Sequence, residues 1–255
     1  MASIRLFGIN IDRVTLSEAT EQLLRWAREE SNGGCRYVVT PNVDHAVMFQ
    51  HRDDLRAAYA DAAMVLADGA PLIGASRLLG RRLPERVAGS DLVPSLLAAA
   101  SRDAEAPLRV FLLGAGPGVA QRAAARIESR WPGVKVVGTH CPPLGFEQNP
   151  HENNAAIEAV NQAAPDVLVI GLGAPKQELW AHQHREQLRA KVALCAGATI
   201  DFLAGEKRRS PVWMRRTGLE WLHRLASEPR RLASRYARDA WVFPQLVWRE
   251  WRGSY

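Results

Sequence analysis

Cysteine is scarce in this chain of 255 residues, and its three copies, Cys35, Cys141 and Cys195, are odd in number with no CxxC spacing. That excludes a disulfide framework and a zinc-ribbon design, and it fits a reducing compartment. Long apolar runs are missing too. None approaches the roughly 20 residues of a membrane-spanning helix. The opening "MASIRLFGINIDRV" has no extended apolar core, so no secretory signal is expected. Low-complexity tracts and internal repeats are absent. So are several catalytic signatures: there is no Walker A, HExxH or GxSxG, and no DxD carboxylate pair to seat a divalent metal beside a nucleotide-sugar. His182 and His184 diverge on a helix rather than share an ion. His140, Cys141 and His151 are too loosely spaced for a ligand set, so no metal site is expected.

What is present is an ordinary globular composition with an uneven charge. The chain carries +6, yet the segment 206–255 holds twelve Lys/Arg against five Asp/Glu, an excess of seven. The preceding 205 residues therefore carry −1. The same terminal segment holds Trp213, Trp221, Trp241, Trp248 and Trp251, five of the eight tryptophans. A basic, aromatic end beside a nearly neutral body points to an anionic partner.

Short apolar runs alternate with amphipathic stretches. "RYVVT", "AMVLA", "RVFLLG", "VKVVG", "DVLVIGLG" and "KVALCAG" read as buried strands. "SDLVPSLLAAASR", "GVAQRAAARIESRW", "NNAAIEAVNQAA" and "KQELWAHQHREQLRA" read as helices between them. "IRLFGINI" predicts two strands about a Gly turn, and Thr15 with Glu18 forms a capping box before the first helix. The pattern predicts an α/β unit over 1–205, a Rossmann-like, mostly parallel sheet with flanking helices. Residues 206–255 predict a helical, membrane-associating appendage of two to four short helices, broken at Pro211, Gly218, Pro229 and Pro244. Ser227 is the expected N-cap before Pro229.

Ligands of open parallel sheets bind where strands end. Thr40 and Asn42 end "RYVVT"; Asn42 can cap a helix or face a substrate. Asp68, followed by Gly69, ends "AMVLA". Arg86 can hold a phosphate or carboxylate, or pair with Glu85 or Asp91. In "GAGPG", Gly114 and Gly116 can expose N–H groups to a phosphate, but Val119 occupies the third glycine of a dinucleotide fingerprint. Gly171 and Gly173 allow close backbone approach. Lys176, opposed by the helix dipole at a helix start, is explained by a bound diphosphate or by a solvated outward pose. Thr199 and Asp201 end the last strand, and Asp201 can cap or pair with a tail arginine. On the tail, Arg231, Arg235 and Arg238 share a face beside Leu232, Tyr236 and Phe243. That is how a helix at a membrane interface is built, and also how a helix docked on a core with a wet face is built.

In order along the chain, "TPNVDH", "ADGAPL", "GRRLPERVAGSDL", "FLLGAGPG", "VLVIGLGAPKQELW", "GATIDFLAG" and "RRSPVWMRRTGLEWLHRLASEPRRL" resemble the WecG/TagA/CpsF glycosyltransferase family, glycosyltransferase family 26. The resemblance spans about Thr40 to Tyr236, with Ala70 as a minor departure. It implies an inverting, metal-independent enzyme of cell-envelope polysaccharide synthesis, with no cofactor. Such an enzyme moves a hexose (N-acetylmannosamine, its uronic acid or glucose) from a UDP-sugar to a polyprenyl-diphosphate-linked saccharide. It implies Asp68 as general base, Thr40 and Asn42 beside the reacting sugars, Gln177 in the same pocket, and Gly114 and Gly116 in the nucleotide region. The tail arginines, Arg215, Arg216, Arg224 and Arg231, would face the lipid diphosphate on an anionic membrane. The expected location is peripheral, on the cytoplasmic face of the inner membrane. Two other classes rest on single features: a nucleotide-dependent oxidoreductase on "GAGPG", and nucleic-acid binding on the basic tail, against which the neutral body counts.

Overall fold

The computed structural model describes residues 2–30, 33–103 and 106–253; the side chain of Arg216 lies outside what it describes. The chain opens with an antiparallel hairpin of β1 (Ser3–Leu6) and β2 (Ile9–Asp12), then α1 (Leu16–Arg28) with the expected Thr15 capping box. There follow β3 (Arg36–Val39), α2 (Val43–Phe49), α3 (Asp53–Ala60), β4 (Met64–Val65), α4 (Ala70–Leu78), α5 (Gly89–Ala100), β5 (Leu108–Gly114), α6 (Val119–Arg130) and β6 (Val134–His140). After a short 3-10 turn come α7 (Pro150–Ala163), β7 (Val167–Gly171), α8 (Lys176–His184), β8 (Val192–Cys195) and α9 (Thr199–Ala204). The tail forms α10 (Val212–Thr217), α11 (Glu220–Ser227) and α12 (Pro229–Trp251).

Six strands form one parallel sheet in the order β4-β3-β8-β7-β5-β6. Both faces are buried, which is why the strands read as unbroken apolar runs. Tyr37, Val39, Phe111, Leu113, Leu168 and Ile170 point to the face covered by α2, α3, α7 and α8. Their neighbours Val38, Val110, Leu112, Val167 and Val169 point to the face covered by α1, α5, α6 and α9. Helix α2 follows β3 onto one face, while α9 follows β8 onto the other. Since β3 and β8 are neighbours, a crevice opens between their C-terminal ends.

The tail differs from expectation in three ways. Helix α12 runs through Pro244 rather than breaking there. Contacts on either side hold it. Phe243 packs edge-on against Phe7, ring centroids 5.2 Å apart, and Leu246 is buried in the core. Glu250 accepts the Phe7 N–H at 3.1 Å and pairs with Arg81. Second, Glu228 rather than Ser227 precedes the first turn of α12, while the Ser227 hydroxyl donates to the His223 carbonyl. Third, Arg235 and Arg238 both reach Asp44 on α2, at 3.2 and 2.5 Å, so this arginine face is docked on the domain. The exposed stripe of α12 is aromatic instead: Trp241, Trp248 and Trp251 are 76%, 51% and 69% exposed. Leu246→Ala is expected to lower stability by about 2–5 kcal/mol, read as a lower urea midpoint with unchanged slope. An unshifted midpoint would mean that α12 is not part of the folding unit.

Candidate active site

The loops after β3, β4, β7 and β8 open into one cavity of about 700 Å³, roofed by the tail helices. Backbone contacts fix this floor. The Asp68 N–H donates to the Pro41 carbonyl at 2.8 Å, tying the end of β4 to the end of β3. Gly69 then turns with φ +104°, a conformation that a side chain would resist, and α4 begins at once. Asp68 is thereby held at the cavity wall.

Of the residues expected from sequence, Thr40, Asn42, Asp68, Arg86, Gly171, Gly173, Lys176, Gln177, Arg215, Arg224 and Arg231 all line this cavity. Gly114 and Gly116 do not. At Gly114 a Cβ would stand 2.7 Å from the Gly171 carbonyl oxygen, so this glycine lets β5 and β7 end side by side. Thr199 and Asp201 lie on α9, beyond the last strand rather than at its end. The Asp201 backbone carbonyl accepts the Glu206 and Lys207 N–H groups where the tail departs. Lys176 is half exposed and reaches Glu147 at 2.5 Å.

Arg86 organises the charges. Its guanidinium reaches Asp91 at 2.7 Å, Glu220 at 3.1 Å and Asp68 at 3.5 Å. Asp91 also meets Arg209 at 2.8 Å and Arg215 at 3.6 Å. Burial alone would raise the Asp91 pKa, but these guanidiniums outweigh it and hold the carboxyl below its ordinary range. Asp68 goes the other way. Withdrawal from water raises its pKa; Arg86 and Arg224 oppose this, while Glu220 and Asp91 add to it. A carboxylate raised in this way, in a cavity, is suited to accept a proton. Arg224 makes no ion pair among the described residues and remains free to meet an anion.

Of two residues that sequence reasoning passed over, His45 lines the cavity beside Asn42 and Glu178 lies behind it. His45 and Glu178 are buried, and His45 Nε2 is 3.3 Å from Glu178 Oε1. Their local signals were a histidine three residues after a cap and an acid in a first helical turn, both common for other reasons. Among the described residues no group of three or more His, Cys, Asp or Glu is placed to hold a metal. No helix among them is long and apolar enough to cross a membrane.

A model of the glycosyl transferase WecG/TagA/CpsF family matches residues 4–255. Among similar proteins is the N-acetylglucosaminyldiphosphoundecaprenol N-acetyl-beta-D-mannosaminyltransferase of Staphylococcus aureus strain MRSA252, 27% identical over 91% of this chain and 87% of the relative. The protein of the same description from strain MW2 is 26% identical over the same shares.

Proposed function

The chain belongs to the WecG/TagA/CpsF glycosyltransferase family, and on that premise we propose that it transfers an N-acetylmannosamine-type sugar from a UDP-sugar to a polyprenyl-diphosphate-linked N-acetylglucosamine. The observation that carries this reading is Asp68, a carboxyl with raised pKa at the wall of a strand-end cavity among arginines. In the proposed step Asp68 takes the proton of the acceptor hydroxyl. The acceptor oxygen bonds to the anomeric carbon from the face opposite UDP. The bond to the diphosphate oxygen breaks, its electron pair leaves with UDP, and the configuration inverts. Without a metal, the leaving charge falls to guanidiniums and backbone N–H groups. Arg224, Arg215 and the Gly171–Gly173 turn line the cavity for that role.

The test is UDP release from a panel of UDP-sugars, with and without a polyprenyl-diphosphate N-acetylglucosamine acceptor. Acceptor-dependent release from an acetamido-hexose donor, persisting in EDTA, is the expected result. No release from any UDP-sugar would overturn the reading, and loss in EDTA would overturn its metal independence.

The acceptor is a lipid, and the reading extends to where the enzyme works. Trp241, Trp248 and Trp251 fall on one arc of α12, with Trp213 and Trp221 exposed on the shorter tail helices. Indole rings suit the headgroup layer, and arginines suit its anionic lipids. These features support a peripheral enzyme, and the cytoplasmic face of the membrane is part of the same proposal. Removing the tail would also remove buried Leu232 and Leu246, so substitution is the cleaner test. The triple variant Trp241→Gln, Trp248→Gln, Trp251→Gln is expected to pellet with phosphatidylglycerol vesicles roughly tenfold less, its melting temperature unchanged. Undiminished pelleting would remove this stripe as the membrane contact.

A further inference from the structure

His45 and Glu178 stand 133 positions apart in sequence, yet they join two residues of the cavity wall. On one side, the His45 backbone N–H donates to Asn42 Oδ1 at 3.3 Å, and His45 Nδ1 lies 3.0 Å from the same oxygen. On the other, the Gln177 side-chain N–H donates to Glu178 Oε1 at 2.8 Å, while Gln177 Oε1 accepts the Gly197 N–H at 3.0 Å. The network therefore stitches together the loops after β3, β7 and β8.

Its chemistry decides which way the Asn42 amide faces. The 3.0 Å contact of Nδ1 with an oxygen is attractive only if Nδ1 carries a proton, and Nε2 needs one to donate to Glu178. The doubly protonated ring meets both conditions. Burial opposes that charge, but the hydrogen bond to Glu178 and the charges of Glu178, Asp44 and Asp68 prevail, so the imidazole pKa is raised. Two donors then face the Asn42 side chain from within the protein. Its oxygen must turn inward and its NH₂ toward the cavity. In the neutral ring, Nδ1 would instead accept the Asn42 backbone N–H at 3.3 Å, and the cap alone would hold the amide.

Stability gives this pair little reason to exist. Glu178 is 1% exposed, and its second oxygen is buried with no hydrogen-bond partner among the described residues. The neighbouring Tyr59 hydroxyl is likewise buried and unpartnered. Half-satisfied buried charge is generally worse for stability than an apolar filling. The geometry points to a positioning role: the His45–Glu178 pair orients the Asn42 and Gln177 amides so that the cavity presents N–H donors, not carbonyl acceptors, to the sugar and the leaving diphosphate. The nature of that ligand rests on the transferase reading; the orientation of the amides does not.

Two substitutions separate the links. His45→Asn retains a polar atom near the Nδ1 position, facing Asn42. His45→Gln retains one near the Nε2 position, facing Glu178. The side-chain amide signals of Asn42, assigned by their loss in Asn42→Ala, are read by NMR in the ligand-free protein. In wild type and in His45→Asn they should remain a well-separated pair. In His45→Gln they should collapse toward solvent-averaged positions. In the UDP-release assay kcat should fall by about tenfold to a hundredfold in His45→Gln, with KM for the donor changed much less. Glu178→Gln, which keeps the shared acceptor but removes the charge that favours the doubly protonated ring, should lose activity as His45→Gln does, and Glu178→Ala at least as much. Unmoved Asn42 signals in His45→Gln, or equal losses in both His45 variants, would overturn the positioning role. Because the NMR arm needs no substrate, it stands or falls even if no UDP-sugar is turned over.

Discussion

Asp68→Asn is expected to abolish sugar transfer, lowering kcat by about 10²–10⁴-fold, while the protein folds and binds UDP as before. The substitution keeps the size of the side chain and its place beside Arg86, 3.5 Å away, but removes the basic oxygen. The pH dependence adds an independent check. Asp68 is raised above the ordinary aspartate range, chiefly by burial. The base must be ionised to act, so kcat/KM should fall as pH drops through that raised value rather than near 4, the ordinary value. Stability moves the opposite way. A carboxyl whose pKa is higher in the folded state binds its proton more tightly there than in the unfolded chain. Its ionised form therefore opposes folding at neutral pH, and the penalty fades as pH falls through the folded value. Asparagine carries no such charge, so the variant's melting temperature at neutral pH should hold or rise. Transfer at the wild-type rate would remove Asp68 from the mechanism. Loss of activity together with a large loss of stability would reduce it to a structural residue.

Replacing Arg86 is expected to cost the second-largest factor, about 10²–10³-fold in kcat for Arg86→Met, with little recovery in Arg86→Lys. One guanidinium here holds Asp91, Glu220 and Asp68 at once. A lysine offers a point charge in place of that fork. Arg86 also restrains the Asp68 pKa, so its removal should move the acidic limb of kcat/KM to still higher pH. Asp91 keeps Arg209 and Arg215, so the floor of the cavity should survive the change. Measured pH profiles of the two variants decide the matter. An acidic limb that stays in place would show that Arg86 does not act on Asp68.

The tail shows why charge partners were harder to read than elements. Arg231, Arg235 and Arg238 share a helical face by spacing alone, and that spacing suits a membrane surface. In the structure Arg231 lines the cavity and pairs with Glu228, while Arg235 and Arg238 hold Asp44. The lipid-facing candidates are the tryptophans on the neighbouring arc. Pro244 misled in the same way. A proline removes one helical hydrogen bond, but the buried contacts of Phe243 and Leu246 carry α12 past it. Glu220 gave no signal of its own, since it reads as an acid at a helix start, yet it meets Arg86 inside the cavity.

The parallel sheet, the Thr15 and Asn42 caps and the placement of Asp68 at a strand end were all legible in the linear chain, because each depends on neighbours a few residues away. Apolar runs between amphipathic stretches have few other ways to be buried on both faces. Which groups meet across the cavity was decided by strand order. Placing β8 between β3 and β7 brings Asn42, Gln177 and Gly197 within reach of one buried histidine–glutamate pair. Docking α12 on α2 turns two of the tail's arginines inward. Such contacts join residues far apart in sequence, and no local pattern encodes them. Their energy depends on burial and on the company each charge keeps, and only the folded chain supplies both.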